Sequence, residues 1–224
     1  FAIPQGSLGW WECRLRDAKV AIGHRTSRFG QCVLPFTDHD GLHLELIETP
    51  ALGPARAWST VPAERAIHGF HSATLTVADP ERTALVLQSS LGFRQTEESE
   101  NRLRFEAGAG GPGQTVDLLT PPGSPVGRVA VGTVHHIAWR TPDDEQQEAW
   151  LHRLGEIGFD SSPVMDRTYF HSIYFREPNG ILFEIATDQP GFTADEPAEA
   201  LGSTLKLPAW LESQRPMLEK VLPK

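Results

Sequence analysis

"FREPNGILFEIAT", residues 175–187, has an earlier counterpart in "FTDHDGLHLELIE", residues 36–48. Both follow the form Phe-x-acidic-x-(Asp/Asn)-Gly-aliphatic-x-apolar-Glu-aliphatic. The same offset of 139 residues, Phe36 to Phe175, lays "WWECRL" (10–15) on "AWLHRL" (149–154) and Arg28 on Arg167 without a gap. Three matches in one register point to a duplicated structural unit rather than to chance.

The later copy can be read element by element. "TVHHIAWR" (133–140) is the opening strand. "DDEQQEAWLHRLGEIGF" (143–159) carries apolar residues at Ala149, Trp150, Leu154 and Ile157. That spacing suits an amphipathic helix, and the acidic first turn suits its N-terminus. "YFHSIYF" (169–175) and "ILFEIAT" (181–187) are rich in β-branched and aromatic residues and read as strands. "EPNG" between them is hairpin chemistry, with Asn-Gly supplying positive φ. A third, more diverged copy opens with the strand "GFHSATLTV" (69–77). It continues with the helix "DPERTALVLQSSLGF" (79–93), capped by Asp79 and ended by Gly92, and closes on "GQTVDLLT" (113–120). In this copy His71 aligns with His136 and Asp117 with Glu184.

The expected fold class is therefore α+β, with repeated βαβββ modules forming paired curved mixed sheets around a shared cleft. Residues 1–49 are expected to form one module with a truncated opening strand, 67–121 a diverged module, and 133–190 the module that carries both His136 and Glu184. Residues 50–66 and 122–132 are linkers, and 191–224 is a tail that is helical from about Ala209.

Composition narrows the function classes. In 224 residues, 39% hydrophobic and 22% charged content is ordinary for a globular chain. Twenty basic against 29 acidic residues leave a net charge of −9, which argues against a nucleic-acid partner. No apolar run approaches the roughly 20 residues of a membrane span. Cys13 and Cys32 are too few for a disulfide framework and the opening residues do not read as a signal peptide, so a cytoplasmic location is expected.

Units with an early histidine and a late carboxylate resemble the vicinal oxygen chelate superfamily of glyoxalases, bleomycin-resistance proteins and extradiol dioxygenases. The phrases "AIPQGSLGWW" (2–11), "SRFGQ" (27–31), "HGFHS" (68–72), "VHHIAWRTPD" (134–143) and "GILFEIATDQPGFTADE" (180–196) are together similar to the ring-cleaving dioxygenases that act on hydroquinones. That resemblance implies four modules, of which this chain would hold the second to the fourth. Shifting His136 back by the repeat offset also falls before Phe1, so an N-terminally incomplete chain is expected. The resemblance implies Fe(II), or alternatively Mn(II), held by His136 and Glu184, with a third ligand, a histidine, from a preceding module. Such a two-histidine, one-carboxylate triad leaves room on the metal for a diol and O2. It further implies Tyr174 as an acid or hydrogen-bond donor to a substrate oxygen, and Arg167 as a cation that steadies developing negative charge.

For His135 a structural role and a supporting catalytic role remain equally open, and on a regular strand it would face away from His136. His171 is a lesser candidate. Glu45, His71 and Asp117 are expected to form a metal-free polar counterpart of the site. The partners implied are a small aromatic substrate and O2, with no membrane and no nucleic acid, in a homo-oligomer. A glyoxalase-type lyase or isomerase, or a non-catalytic bleomycin-resistance-like binding protein, is the alternative. The first would need more than one carboxylate at the metal, and the second would need no metal.

Overall fold

A computed structural model describes residues 1–50, 52, 55, 60–123, 127 and 129–223. The linker expectations fall partly on residues outside this set. The chain divides into two compact units, Phe1–Ile137 with Glu177–Leu182, and Ala138–Arg176 with Phe183–Lys224.

The first unit holds two sheets. β1 (Ala2–Pro4) leads into helix α1 (Leu8–Asp17), then β2 (Ala21–Ile22), β3 (Thr26–Arg28), β4 (Gln31–Thr37) and β5 (His43–Thr49). The strand order is β1-β5-β4-β2, with β3 also paired to β4. β1 runs parallel to β5, and the other pairs are antiparallel. Because side chains alternate across a strand, Leu34 and Leu46 turn toward α1 while Glu45 turns to the opposite face. Leu34 and Leu46 pack with Ile3, Leu8 and Trp11 of β1 and α1, joined by Val61 and Ala66 from beyond the strands. The Trp11 indole donates to the Arg65 carbonyl at 2.8 Å, so the last part of the first linker belongs to this core.

The second sheet contains β6 (Ser72–Thr76), helix α2 (Pro80–Leu85), β7 (Arg94–Ser99), β8 (Arg102–Glu106) and β9 (Thr115–Leu119), ordered β6-β9-β8-β7. Asp79 caps α2 by accepting from the Arg82 amide, as its position suggests. The single helix expected over residues 79–93 is instead six α-helical residues continued by a wider π turn at Val86–Ser90. Phe105, Val116 and Leu118 are fully buried on the helix side of this sheet.

The second unit contains β10 (Ile137–Thr141), α3 (Asp144–Glu156), β11 (Met165–Asp166), β12 (Phe170–Arg176) and β13 (Leu182–Pro190), ordered β10-β13-β12-β11. The tail ends in α4 (Arg215–Val221), which follows a 3-10 turn at Ala209–Gln214. The strand expected over 133–140 begins only at Ile137, so His135 and His136 precede the pleat. The face of α3 also differs from expectation. Ala149 and Ile157 are exposed, while Gln147 and Leu154 are buried. Gln147 can be buried because its amide donates to two backbone carbonyls, His171 on β12 and Ile185 on β13, both at 2.8 Å. Gln147→Leu is expected to cost about 2–4 kcal/mol, since it fills the volume but strands two buried acceptors. Urea unfolding measures this, and an unchanged midpoint would show that the bonds contribute nothing.

The hairpin turn has the positive φ expected of its Asn-Gly pair. Only Gly180 of the Asn-Gly pair has positive φ, at 85°. Asn179 stays in an ordinary conformation, and within the first unit its amide donates to the Asp79 carbonyl and the Thr83 hydroxyl, both at 2.8 Å. Beside it the buried Glu177 carboxylate accepts from Thr83 Oγ1 at 2.6 Å.

The duplication is visible in the backbone. Thr26↔Val33 and Ser27↔Cys32 in β3–β4 become Met165↔Ser172 and Asp166↔His171 in β11–β12, each shifted by the repeat offset. The positive-φ positions coincide too: Phe29 with Thr168, Lys19 with Gly158, and Gly41 with Gly180.

Candidate active site

Each of the three sheets carries a carboxylate on the face away from its helix, and each neutralises it differently. On β5, Glu45 is forked by Arg28, at 2.8 and 2.6 Å. On β9, Asp117 is fully buried. It accepts from Arg104 Nε and Nη2 at 2.8 and 3.1 Å and from Arg102 Nη1 at 3.1 Å, with Arg28 at 4.0 Å. Arg104 itself is only 3% exposed, so its charge is taken out of water together with that of Asp117. These side chains bring Glu45, His71 and Asp117 into one cluster, as the repeat pattern predicts. Three guanidinium groups supply its positive charge.

Gln31 fixes the state of His71. Its carbonyl oxygen accepts from Arg104 at 3.0 Å, so its amide nitrogen must donate to His71 Nε2, also at 3.0 Å. His71 is then neutral, with its proton on Nδ1 facing the Ser72 hydroxyl at 3.0 Å. Its Nε2 lone pair is committed to an amide rather than to a metal. Burial first, and then the Arg104 cation, lowers the His71 pKa from 6.5 to about 4. An unfolded chain takes up this proton near pH 6.5, and the folded one does not until about pH 4. The stabilisation by neutral His71 is thus complete above pH 6.5 and is lost as pH falls through that window, by roughly 3 kcal/mol in all. Unfolding midpoints measured from pH 7 to 4 should show this slope, and His71→Gln should flatten it.

In the second unit the corresponding carboxylate is Glu184 on β13, only 2% exposed. It accepts a short hydrogen bond from the buried Ser172 hydroxyl on β12. Alternation puts Tyr174 on the same face as Ser172, and β11 brings Arg167 alongside. The guanidinium lies 5.5 Å from the Tyr174 ring centroid and 3.4 Å from its hydroxyl. At the end of the same face Arg140 forks Asp188 at 2.8 Å. Glu184, Tyr174 and Arg167 therefore share one face.

His171 does not join them. It occupies the opposite face, where its Nδ1 meets Asp144 of α3 at 2.6 Å, and its role is to tie helix to strand. His135 and His136 stand just before β10, as His71 stands just before β6. Instead of pointing apart, their rings meet edge to face, with Nδ1 atoms 2.8 Å apart. Without a strand pleat nothing forces their side chains to alternate.

Several contributors lay beyond the sequence reading. Arg102 and Arg104 were legible as two arginines on one strand face in "RLRFE". Ser172 and Gln147 carried no such mark, because small or amide side chains acquire meaning only from what the fold sets opposite them. Among the described residues no three His, Cys, Asp or Glu side chains gather as a complete metal-ligand set. The His136 imidazole in the first unit and the buried Glu184 carboxylate in the second, oriented by a hydroxyl, are each by themselves donor types that suit a divalent transition-metal ion.

Residues 69–185 match the family described as the Glyoxalase/Bleomycin resistance protein/Dioxygenase superfamily, and the chain belongs to it. Among its relatives, "Putative ring-cleaving dioxygenase MhqO" of Bacillus subtilis (strain 168) is 41% identical over 99% of this chain and 70% of its own length. The "Chlorohydroquinone/hydroquinone 1,2-dioxygenase" of Sphingobium indicum is 34% identical over 99% of this chain and 71% of its own. A crystal structure described as a "putative dioxygenase" from Bacillus subtilis superposes with a TM-score of 0.90 at 40% identity, covering 99% of this chain and 71% of that one. No helix among the described residues is long and apolar enough to cross a membrane.

Proposed function

We propose that this chain carries out metal-dependent cleavage of hydroquinone-like or catechol-like rings with O2, in the cytoplasm and as a homo-oligomer. His136 and Glu184 would be two ligands of Fe(II), or of Mn(II) in its place. The observation that carries the reading is the shared face of Glu184, Ser172, Tyr174 and Arg167, in a chain related over nearly its whole length to a hydroquinone 1,2-dioxygenase. The pairing of His71 with Asp117 in one cluster is an internal precedent for His136 with Glu184. The bound metal would supply a Lewis acid that holds substrate oxygen and O2 side by side.

The remaining work falls to side chains. Ser172 donates to Glu184 and orients its carboxylate. The Tyr174 hydroxyl, beside Arg167, is placed to hold a proton at a substrate oxygen. Arg167 steadies negative charge as it develops there. Of the histidine pair, His135 accepts the Nδ1 proton of His136 and so sets its tautomer.

The test is anaerobic reconstitution with Fe(II), followed by hydroquinone and measured O2 uptake. Stoichiometric O2 consumption with a ring-opened product supports the proposal. Turnover without O2 would favour a lyase or isomerase, and tight aromatic binding without turnover a binding protein.

A further inference from the structure

The two hairpin turns of the repeat share a backbone and differ in reach. Gly41 and Gly180 hold positive φ at equivalent places, 89° and 85°. In the earlier turn Asp38 works locally, its Oδ1 accepting from the amides of Asp40 and Leu42 at 2.9 and 2.8 Å. Asp38 is half-buried and Asp40 exposed. In the later turn their equivalents are Glu177 and Asn179. Glu177 Oε1 keeps the bond to the amide of Ile181, the equivalent of Leu42, at 3.0 Å. The extra methylene carries Oε2 out of the turn, where it accepts from the Thr83 hydroxyl of α2 at 2.6 Å.

Asn179 completes the arrangement by matching both peptide groups of Asp79, the residue that caps α2. Its Nδ2 donates to the Asp79 carbonyl at 2.8 Å, and its Oδ1 accepts from the Asp79 amide at 3.3 Å. Nδ2 also donates to Thr83 Oγ1 at 2.8 Å, so the Thr83 hydroxyl accepts from Asn179 while donating to Glu177. An aspartate here, as at position 40, would have no donor to offer. Thr83 and Glu177 are 0% and 2% exposed, so losing either partner leaves the other unpaired and out of water. All these bonds lie within the first unit, which includes the turn Glu177–Leu182, whereas β12 and the rest of β13 belong to the second.

We propose that this turn is a clasp on the first turn of α2, so that the helix and the β12–β13 hairpin open to solvent as a single event. Opening one side alone strands the Glu177 carboxylate or the Thr83 hydroxyl inside the protein. Opening both lets water reach every member at once. Local openings follow cooperative units of this kind. The earlier turn, with Asp38 bonded only to its own backbone, has no such tie through that side chain.

The experiment is amide hydrogen exchange followed by NMR, under conditions where the rate reports the opening equilibrium. In the unmodified protein the amides of α2, the Ile181 amide and those of the β12–β13 ladder should share one opening constant. Thr83→Val, on the helix, is expected to speed exchange at Ile181 by about tenfold or more. Asn179→Asp, in the turn, should speed exchange in α2 by a similar factor. Each substitution thus acts on the segment that does not carry it. Thr83→Ser keeps the hydroxyl and should stay within about threefold of the unmodified protein. The double variant should be little worse than the more severe single one, because a clasp already open cannot be opened again. Effects confined to the segment that bears the substitution overturn the inference. So do different opening constants for α2 and the hairpin in the unmodified protein. Should Thr83→Val fail to fold by circular dichroism, Asn179→Asp, at a half-buried turn position, decides by itself.

Discussion

Asp117→Ala is expected to be the most destabilising single change in the first unit, at about 3–5 kcal/mol, because it leaves buried positive charge without its counter-ion. Arg104 is 3% exposed and Arg102 and Arg28 are largely covered, so water cannot take over the role of the carboxylate. Glu45, which forks Arg28 and also faces Arg102, and the half-exposed Glu97, 3.5 Å from Arg104, offset only part of this charge. For a domain of this size the loss corresponds to a drop in melting temperature of roughly 10 °C or more. Asp117→Asn keeps the shape and should still lose most of the stability, since the charge matters more than the volume. Replacing Asp117, Arg102 and Arg104 together by apolar residues of similar size should cost far less than the single alanine, as removing a whole buried ion cluster avoids the unpaired charge. A thermal melt of the three variants checks the order. Asp117→Ala within about 1 kcal/mol of the unmodified protein would mean that the cluster is solvated and structurally idle.

The second large effect is on the proposed metal site. Glu184→Gln is expected to abolish O2-dependent ring cleavage and to weaken Fe(II) binding beyond the range of an outer-shell change. The amide keeps an oxygen to accept from Ser172, so the fold should persist with its far-ultraviolet circular dichroism unchanged. Loss of activity would then reflect lost coordination rather than unfolding. Ser172→Ala removes only the group that orients Glu184 and should cost about ten- to a hundredfold in metal affinity, the range typical of an outer hydrogen-bond partner. The ranking is the informative part. If Ser172→Ala is as damaging as Glu184→Gln, the hydroxyl does more than orient; if Glu184→Gln binds Fe(II) normally, the carboxylate is not a ligand.

How much of this was legible in the sequence depends on whether a feature is local or relational. The duplicated hairpins, with their Gly41 and Gly180 turns and the late glutamates, could be read directly, because turn geometry and strand alternation are set by neighbours in the chain. So could the Asp79 helix cap, which needs only the next turn of backbone. The start of β10, by contrast, is not legible from "TVHHIAWR", since a strand extends only as far as another strand pairs with it, and pairing is tertiary. The buried face of α3 was likewise misjudged at Gln147, which hydrophobic periodicity counts as polar. Two carbonyls from distant strands made its burial favourable.

Which residues repeat, and so where a carboxylate faces away from a helix in each sheet, follows from the order of residues along the chain. The state of each carboxylate is set by packing between strands. Glu45, Asp117 and Glu184 are chemically near-identical as letters, but they meet respectively one arginine, two arginines with a third close by, and a serine hydroxyl. The energy of a buried charge depends on the dipoles and charges within a few ångströms of it, and those come from strands that pair across the sheet rather than from neighbours in the chain.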